Sequence, residues 1–204
     1  MTKALSRAEQ GAVRLYLRPV IELTDEQFFE FCQLNRDVRI ERTAAGDLVI
    51  MPPTGGGTGH RSILLGMWLT QWALQDGTGV TFDSSTGFTL PNGATRSPDV
   101  AWVKRSRLAG LTPEQRERFL PLCPDFVGEF RSPSDRVSSL QEKMQEYIDN
   151  GAQLGWLIDA HSRVVYVYRP SHSVERLEQP ATLAGDPVLP RFTLDLRTIW
   201  EPGF

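Results

Sequence analysis

The sequence has few cysteines and no long apolar run. Among its 204 residues there are two cysteines, Cys32 and Cys123, which lie far apart and belong to no C-x-x-C pair. This spacing argues against a disulfide framework or a zinc site and favours two reduced, buried or half-buried thiols. No apolar stretch approaches the roughly 20 residues of a membrane helix. The N-terminal residues lack the apolar core of a secretory signal, so we expect a cytoplasmic protein with no membrane partner.

An excess of positive charge is also absent. Lysine and arginine number 22 against 25 aspartates and glutamates, which gives a formal net charge of −3 at pH 7. Proteins that bind DNA tightly and without specificity gain most of their affinity by neutralising phosphates with basic residues. The charge balance therefore argues against that class. It does not exclude a catalytic site, which needs only local acidic residues.

Internal repeats and low-complexity tracts are missing as well. The composition, 40% apolar and 23% charged, is that of an ordinary globular protein. The length is sufficient for one domain with a full hydrophobic core. We expect a polar lead-in over residues 1–18 and a single domain over residues 19–204.

The apolar spacing and the turn residues predict an α/β order of elements. Thr24, followed by two acidic residues, is a good N-cap for a first helix. Asn150-Gly151 is a good stop for a later helix. Alternation and β-branched residues predict the strands. The result is a mixed central β-sheet flanked by helices. The predicted helices are 24–35, one that starts near His60, one that starts near Pro113 and 136–149. The predicted strands are 38–42, 48–51, 80–82, 86–90, 99–103, 126–130, 154–158 and 164–168, followed by closing loops and a final turn of helix.

A glycine run, Gly55-Gly56-Gly57-Thr58-Gly59, precedes the second helix. Glycine-rich loops before helices can bind phosphate, but the Gly-Lys-Ser/Thr of a Walker A loop is missing. A flexible or tightly turned connection is expected instead. The G-x-S-x-G elbow of an α/β-hydrolase is missing too.

The most informative stretch is PDFVGEFRSPSD, residues 124–135, because it places Glu129 inside a predicted core strand. A charge in such a strand is costly unless it is paired, neutralised or bound to a metal. Asp99 begins a neighbouring predicted strand, and Lys143 lies at the edge of the apolar stripe of the following helix, within reach of Glu129. The two carboxylates can hold Mg²⁺. The lysine can position or activate a water. A bound metal would thus account for Glu129.

The same residues also fit a role without a metal. Glu129 can form an ion pair with Arg131 or Lys143, and Asp99 can make a turn hydrogen bond after Pro98. Tyr147 can be a core residue. In that case the charged residues form an ion-pair network in a structural or regulatory module.

The sequence also resembles a known family. Pro98-Asp99 followed by Glu129-x-Arg131 has the form of the PD-(D/E)XK nuclease signature, and several longer stretches resemble the Uma2 family (DUF820) of restriction-endonuclease-like proteins. The resemblance runs in order over roughly residues 20–200. The matching stretches are PTGGGTGHRS, GFTLPNGATRSPDVAWV, PDFVGEFRSPSD, LQEKMQEYIDNGAQLGWLID and VYVYRP.

This resemblance implies a restriction-endonuclease-like fold and an endonuclease that hydrolyses DNA with Mg²⁺, for which Mn²⁺ can substitute. Asp99 and Glu129 match the metal-binding carboxylates. Arg131 stands at the usual lysine position, where it can clamp a phosphate but cannot act as a base. Lys143 on the next helix takes the place of that lysine, and Tyr147 matches the tyrosine of a QxxxY helix motif.

The resemblance also assigns an accessory role to His60, which would assist a metal or phosphate, with a capping or surface histidine as the alternative. A homodimer is expected because a two-fold pair of sites suits the cutting of both strands. A catalytically silent member of the fold, which binds nucleic acid or a partner protein, is the alternative function.

Overall fold

The computed structural model describes residues 12–201 and residue 203. Its central element is a six-stranded sheet with the strand order β11-β10-β9-β8-β7-β4. The pair β8–β9 is parallel and the other pairs are antiparallel, so the predicted mixed central sheet is confirmed. Its strands are β4 (Gly79–Asp83), β7 (Val100–Lys104), β8 (Phe126–Phe130), β9 (Leu154–Asp159), β10 (Val164–Tyr168) and β11 (Glu175–Glu178).

A second, five-stranded sheet lies beside the central one, with the strand order β1-β3-β2-β6-β5. It contains the predicted hairpin, β2 paired antiparallel with β3. The short connection of residues 97–99 leads from β6 in this sheet to β7 in the central sheet. A third sheet pairs β12 with β13. These strands are β1 (Val13–Leu15), β2 (Arg39–Arg42), β3 (Leu48–Met51), β5 (Phe88–Thr89), β6 (Thr95–Arg96), β12 (Thr182–Ala184) and β13 (Thr193–Asp195).

Helices cover both faces of the central sheet, because successive strand residues point to opposite faces. Leu65 and Leu69 of one helix pack with Phe126 and Phe130 on one face, and Met144 of another packs with Val127 on the other face. The helices are α1 (Asp25–Leu34), α2 (Gly56–Asp76), α3 (Arg105–Leu108), α4 (Pro113–Arg116), α5 (Val137–Asp149) and α6 (Arg197–Trp200).

The structure differs from the sequence-based prediction at several places, and α3 and β6 are among the elements that the sequence did not predict. Helix α2 starts at Gly56, so most of the glycine run forms its first turn and is not a separate loop. The region predicted as closing loops contains β11, β12 and β13. Of the predicted lead-in, residues 1–11 lie outside the described residues, and Val13–Leu15 pairs with β3. The tail and lead-in strands are short or exposed, so they lack the apolar alternation that identifies a buried strand.

Two further expectations concern the cysteines and the helices. Cys32 is half-buried, Cys123 is buried, and both are free thiols, as predicted. Within the described residues, no helix combines the length and the apolar character that crossing a bilayer requires.

Candidate active site

A cleft of about 680 Å³ opens where the two sheets meet the amino ends of α2 and α5. It contains both predicted metal ligands, Asp99 and Glu129, and the predicted lysine. Loop residues that follow β3 and β8 form its walls. The lining residues are Ala12, Arg39, Met51, Pro52, Pro53, Thr54, Gly55, Thr58, Asp99, Glu129, Phe130, Ser132, Pro133, Ser134, Asp135, Leu140 and Lys143.

Asp99 is held at the cleft by both neighbouring strands. It directly precedes β7, and its Oδ2 accepts a hydrogen bond of 2.8 Å from the backbone N–H of Phe130 at the end of β8. Its Oδ1 lies 3.5 Å from the guanidinium of Arg39 on β2. These contacts orient the carboxylate at the junction of the two sheets.

Glu129 is buried, with 4% of its surface exposed, although it lines the cleft. Its Oε1 lies 2.7 Å from Nζ of Lys143 and accepts a hydrogen bond of 3.2 Å from the hydroxyl of Tyr147. Burial raises the pKa of Glu129 to about 7, against the opposing effect of Lys143. Both partners lie beside Glu129, so the alternative prediction of an ion pair with Lys143 is confirmed.

Helix α5 supplies both partners because Lys143 and Tyr147 lie one turn apart. Lys143 reaches the sheet end, as predicted from its place on the edge of the apolar stripe. Burial opposes its charge, but Glu129 and Glu41 raise the pKa of Lys143 above its ordinary value. The two carboxylates therefore favour the charged ammonium form of Lys143. Burial also raises the pKa of Tyr147 well above its ordinary value.

Four charged residues of this site were missed in the sequence: Arg39 and Glu41 on β2, Arg96 on β6 and Glu146 on α5. Glu41 is 2% exposed, and its carboxylate lies 2.9 Å from Nζ of Lys143 and 3.1 Å from Arg96. Arg96 also contacts Glu146 at 2.6 Å. Alternation in residues 39–42 gave a usable signal, since Arg39 and Glu41 share one face of the strand.

Burial and charge act in opposite directions on Glu41. Burial alone would raise the pKa of its carboxyl, but Lys143 and Arg96 lower it to about 2. Glu41 is therefore an anion throughout the neutral range, in contrast to Glu129.

Arg131 and His60 are not among the residues that line the cleft. Arg131 follows β8, where its guanidinium forms an ion pair of 2.8 Å with Asp159 at the end of β9 and donates to the carbonyl of Asp135. His60 lies in the second turn of α2, because the helix begins at Gly56. The structure thus brings Asp99, Glu129, Lys143 and Tyr147 together, whereas Arg131 and His60 do not line the cleft.

The donor set of the cleft fits a hard divalent cation. Carboxylate oxygens are the ligands that Mg²⁺ prefers, and Mg²⁺ retains several waters, so one or two protein carboxylates are enough. The contacts of Glu129 with Lys143 and Tyr147 both go to Oε1. No group of three His, Cys, Asp or Glu side chains within residues 12–201 and 203 could hold a metal. Asp99 and Glu129 therefore suit a cation that keeps water or phosphate ligands.

The family model Uma2, described as "Putative restriction endonuclease", matches residues 25–197. The chain belongs to the Uma2 family. That membership confirms the family predicted from the sequence stretches. No curated protein matches the chain.

A solved structure from Anabaena variabilis ATCC 29413, described as a "putative nuclease belonging to DUF820", is similar to this Uma2 chain. The TM-score is 0.72 at 19% sequence identity, and the match covers 88% of this chain and 98% of the other. This likeness confirms the restriction-endonuclease-like fold.

Proposed function

We propose that this Uma2 protein is a Mg²⁺-dependent endonuclease that hydrolyses phosphodiester bonds of DNA. The observation that carries the proposal is the placement of Asp99 and Glu129, from neighbouring strands, in one cleft with Lys143 2.7 Å from Glu129. Family membership and the nuclease-like fold support the same reaction class. In this proposal the enzyme acts in the cytoplasm on DNA, and Mn²⁺ can replace Mg²⁺.

The roles of the residues follow from their chemistry. Asp99 and Glu129 would hold the cation, which supplies charge stabilisation at the phosphate and acidifies an attacking water. Lys143, whose charged form Glu129 and Glu41 favour, would donate hydrogen bonds and position a water or a phosphate oxygen. Arg39 adds a second cation to the cleft wall. The amino end of α2 adds a partial positive charge near Gly55, where no side chain caps the helix.

A second candidate function is a catalytically silent module of the same fold that binds nucleic acid or a partner protein. Two observations favour it. Lys143 and Tyr147 already pair with Oε1 of Glu129. Arg131, at the position where nucleases of this signature carry lysine, is paired with Asp159 and not directed to the cleft.

The deciding experiment measures Mn²⁺ binding by calorimetry and cleavage of supercoiled, linear and single-stranded DNA with Mg²⁺ or Mn²⁺. We expect metal-dependent cutting that is lost in Asp99→Ala, and loss of Mn²⁺ binding in folded Glu129→Ala. Asp159→Asn is the matched control, because it removes a buried carboxylate outside the cleft. Unchanged Mn²⁺ affinity in Glu129→Ala would refute the metal site, and metal binding without cutting would favour the silent module.

The proposed enzyme would act as a homodimer, since two sites related by a two-fold axis can cut both strands. Analytical ultracentrifugation with and without a DNA duplex tests this expectation. A monomer under both conditions would contradict it.

A further inference from the structure

Glu41 is a buried carboxylate with three polar contacts. One of its oxygens, Oε1, accepts a hydrogen bond of 3.0 Å from the backbone N–H of Ser97 and one of 2.9 Å from Lys143. The other, Oε2, lies 3.1 Å from Arg96. Ser97 is two residues before Asp99, so Glu41 connects Lys143 to the chain segment that carries a proposed metal ligand.

Lys143 is shared between two carboxylates that differ in their access to the cleft. Its Nζ lies 2.7 Å from Glu129 and 2.9 Å from Glu41, and 12% of its side chain is exposed. Glu129 lines the cleft, where a ligand can compete for its oxygens, whereas Glu41 does not line it. A cation that binds Glu129 would weaken one of the two contacts of Lys143 and leave the other intact.

We propose that Glu41 is a positioning residue that holds Lys143 in the cleft when Glu129 is engaged by a ligand. The inference rests on the proposed function for its catalytic meaning, since it accounts for how Lys143 stays near the reacting phosphate. Glu41 itself touches neither cation nor substrate. Loss of a carboxylate that orients a metal-ligating side chain typically costs about 10- to 100-fold, and we expect an effect of that order for Glu41 behind Lys143.

A purely structural role for Glu41, as the partner of Arg96, makes a different prediction. Arg96 has a second carboxylate, Glu146, at 2.6 Å, and Glu146 does not contact Lys143. Glu146→Gln is therefore the matched control: it removes one anion from Arg96 and leaves both anions on Lys143. An effect specific to Lys143 must appear in Glu41→Gln and be absent from Glu146→Gln.

The first experiment needs neither metal nor catalysis. The chain has three lysines, Lys3, Lys104 and Lys143, so acetylation by an amine-reactive ester can be followed at each by mass spectrometry. Exposed Lys104 is the internal reference. In Glu129→Gln, we expect Lys143 to stay protected. Adding Glu41→Gln should raise its labelling severalfold, and adding Glu146→Gln should not.

The second experiment measures turnover and metal affinity in the otherwise unaltered chain. We expect Glu41→Gln to lower kcat about 10- to 100-fold while KM for DNA and Mn²⁺ affinity stay close to those of the parent. Glu41→Asp keeps the charge but shortens the side chain by one methylene. Its kcat should lie between those of the parent and Glu41→Gln. Glu41→Asp also serves as the test variant if Glu41→Gln does not fold, which circular dichroism would show.

Equal labelling of Lys143 in the two double variants would overturn the proposal, as would a loss of Mn²⁺ affinity in Glu41→Gln as large as the loss of kcat. If the parent protein neither binds metal nor cuts DNA, the proposed function fails by itself. The labelling result then still decides whether Glu41 positions Lys143.

Discussion

Replacing Glu129 by glutamine should stabilise the metal-free protein, and more so as pH rises. Burial raises the pKa of Glu129 from 4.5 to about 7, so the folded protein holds this proton more tightly than the unfolded chain. The tighter hold on this proton adds to the free energy of unfolding. This added stability is complete below about pH 4.5 and is lost as pH rises through 7. At about 1.4 kcal/mol per pKa unit, the loss is on the order of 3 kcal/mol. Glutamine cannot ionise and does not incur this loss.

The assay is urea denaturation of both proteins at several values between pH 4.5 and 8, in the presence of a chelator. The free energy of unfolding of Glu129→Gln minus that of the parent should grow by about 3 kcal/mol across this range. Asp159→Asn is the control. Burial opposes ionisation of Asp159, but hydrogen bonds from Ser162 and Arg131 outweigh it and lower the pKa of the Asp159 carboxyl. The stability that the ionised Asp159 contributes is therefore complete above its ordinary pKa. The free energy of unfolding of Asp159→Asn minus that of the parent should stay constant across the range. A constant difference for Glu129→Gln as well would refute the reasoning.

Three further predictions concern stability and are checked by thermal or urea denaturation. Gly66→Ala on α2 meets no neighbouring atom and should stabilise by about 0.5–1 kcal/mol, whereas Gly77→Ala, at the left-handed carboxyl cap of the same helix, should destabilise by about 1 kcal/mol; equal signs would contradict this. Gly79→Ala would bring a Cβ within 2.2 Å of the Trp102 indole and should cost about 1–3 kcal/mol, so a neutral result would show that Trp102 repacks freely. Thr24→Ala removes an N-cap with a capping box and should cost about 1 kcal/mol; no loss would mean that this helix end needs no cap.

Local sequence signals predicted most of the central fold because they act within one segment. The Thr24 cap sets the first helix, and alternation in residues 126–130 predicts which face carries Glu129. The same logic failed at the glycine run, where Gly55 caps α2 and the following glycines form helix. Glycine disfavours a helix interior, but the first turn tolerates it better because its N–H groups have no helical acceptor.

Local sequence patterns predict that a carboxylate lies in a core strand and that Lys143 and Tyr147 share a helix face near it. They could not determine what neutralises that carboxylate. Glu41 and Lys143 meet although 102 positions separate them along the chain, because β2 of the second sheet and helix α5 come together beside the cleft. Alternation along a strand indicates which side chains share a face of that strand. It does not indicate which other element that face will pack against. The tertiary structure is needed to show that Lys143 lies between two carboxylates. Glu129 lines the cleft, and Glu41 is buried behind it.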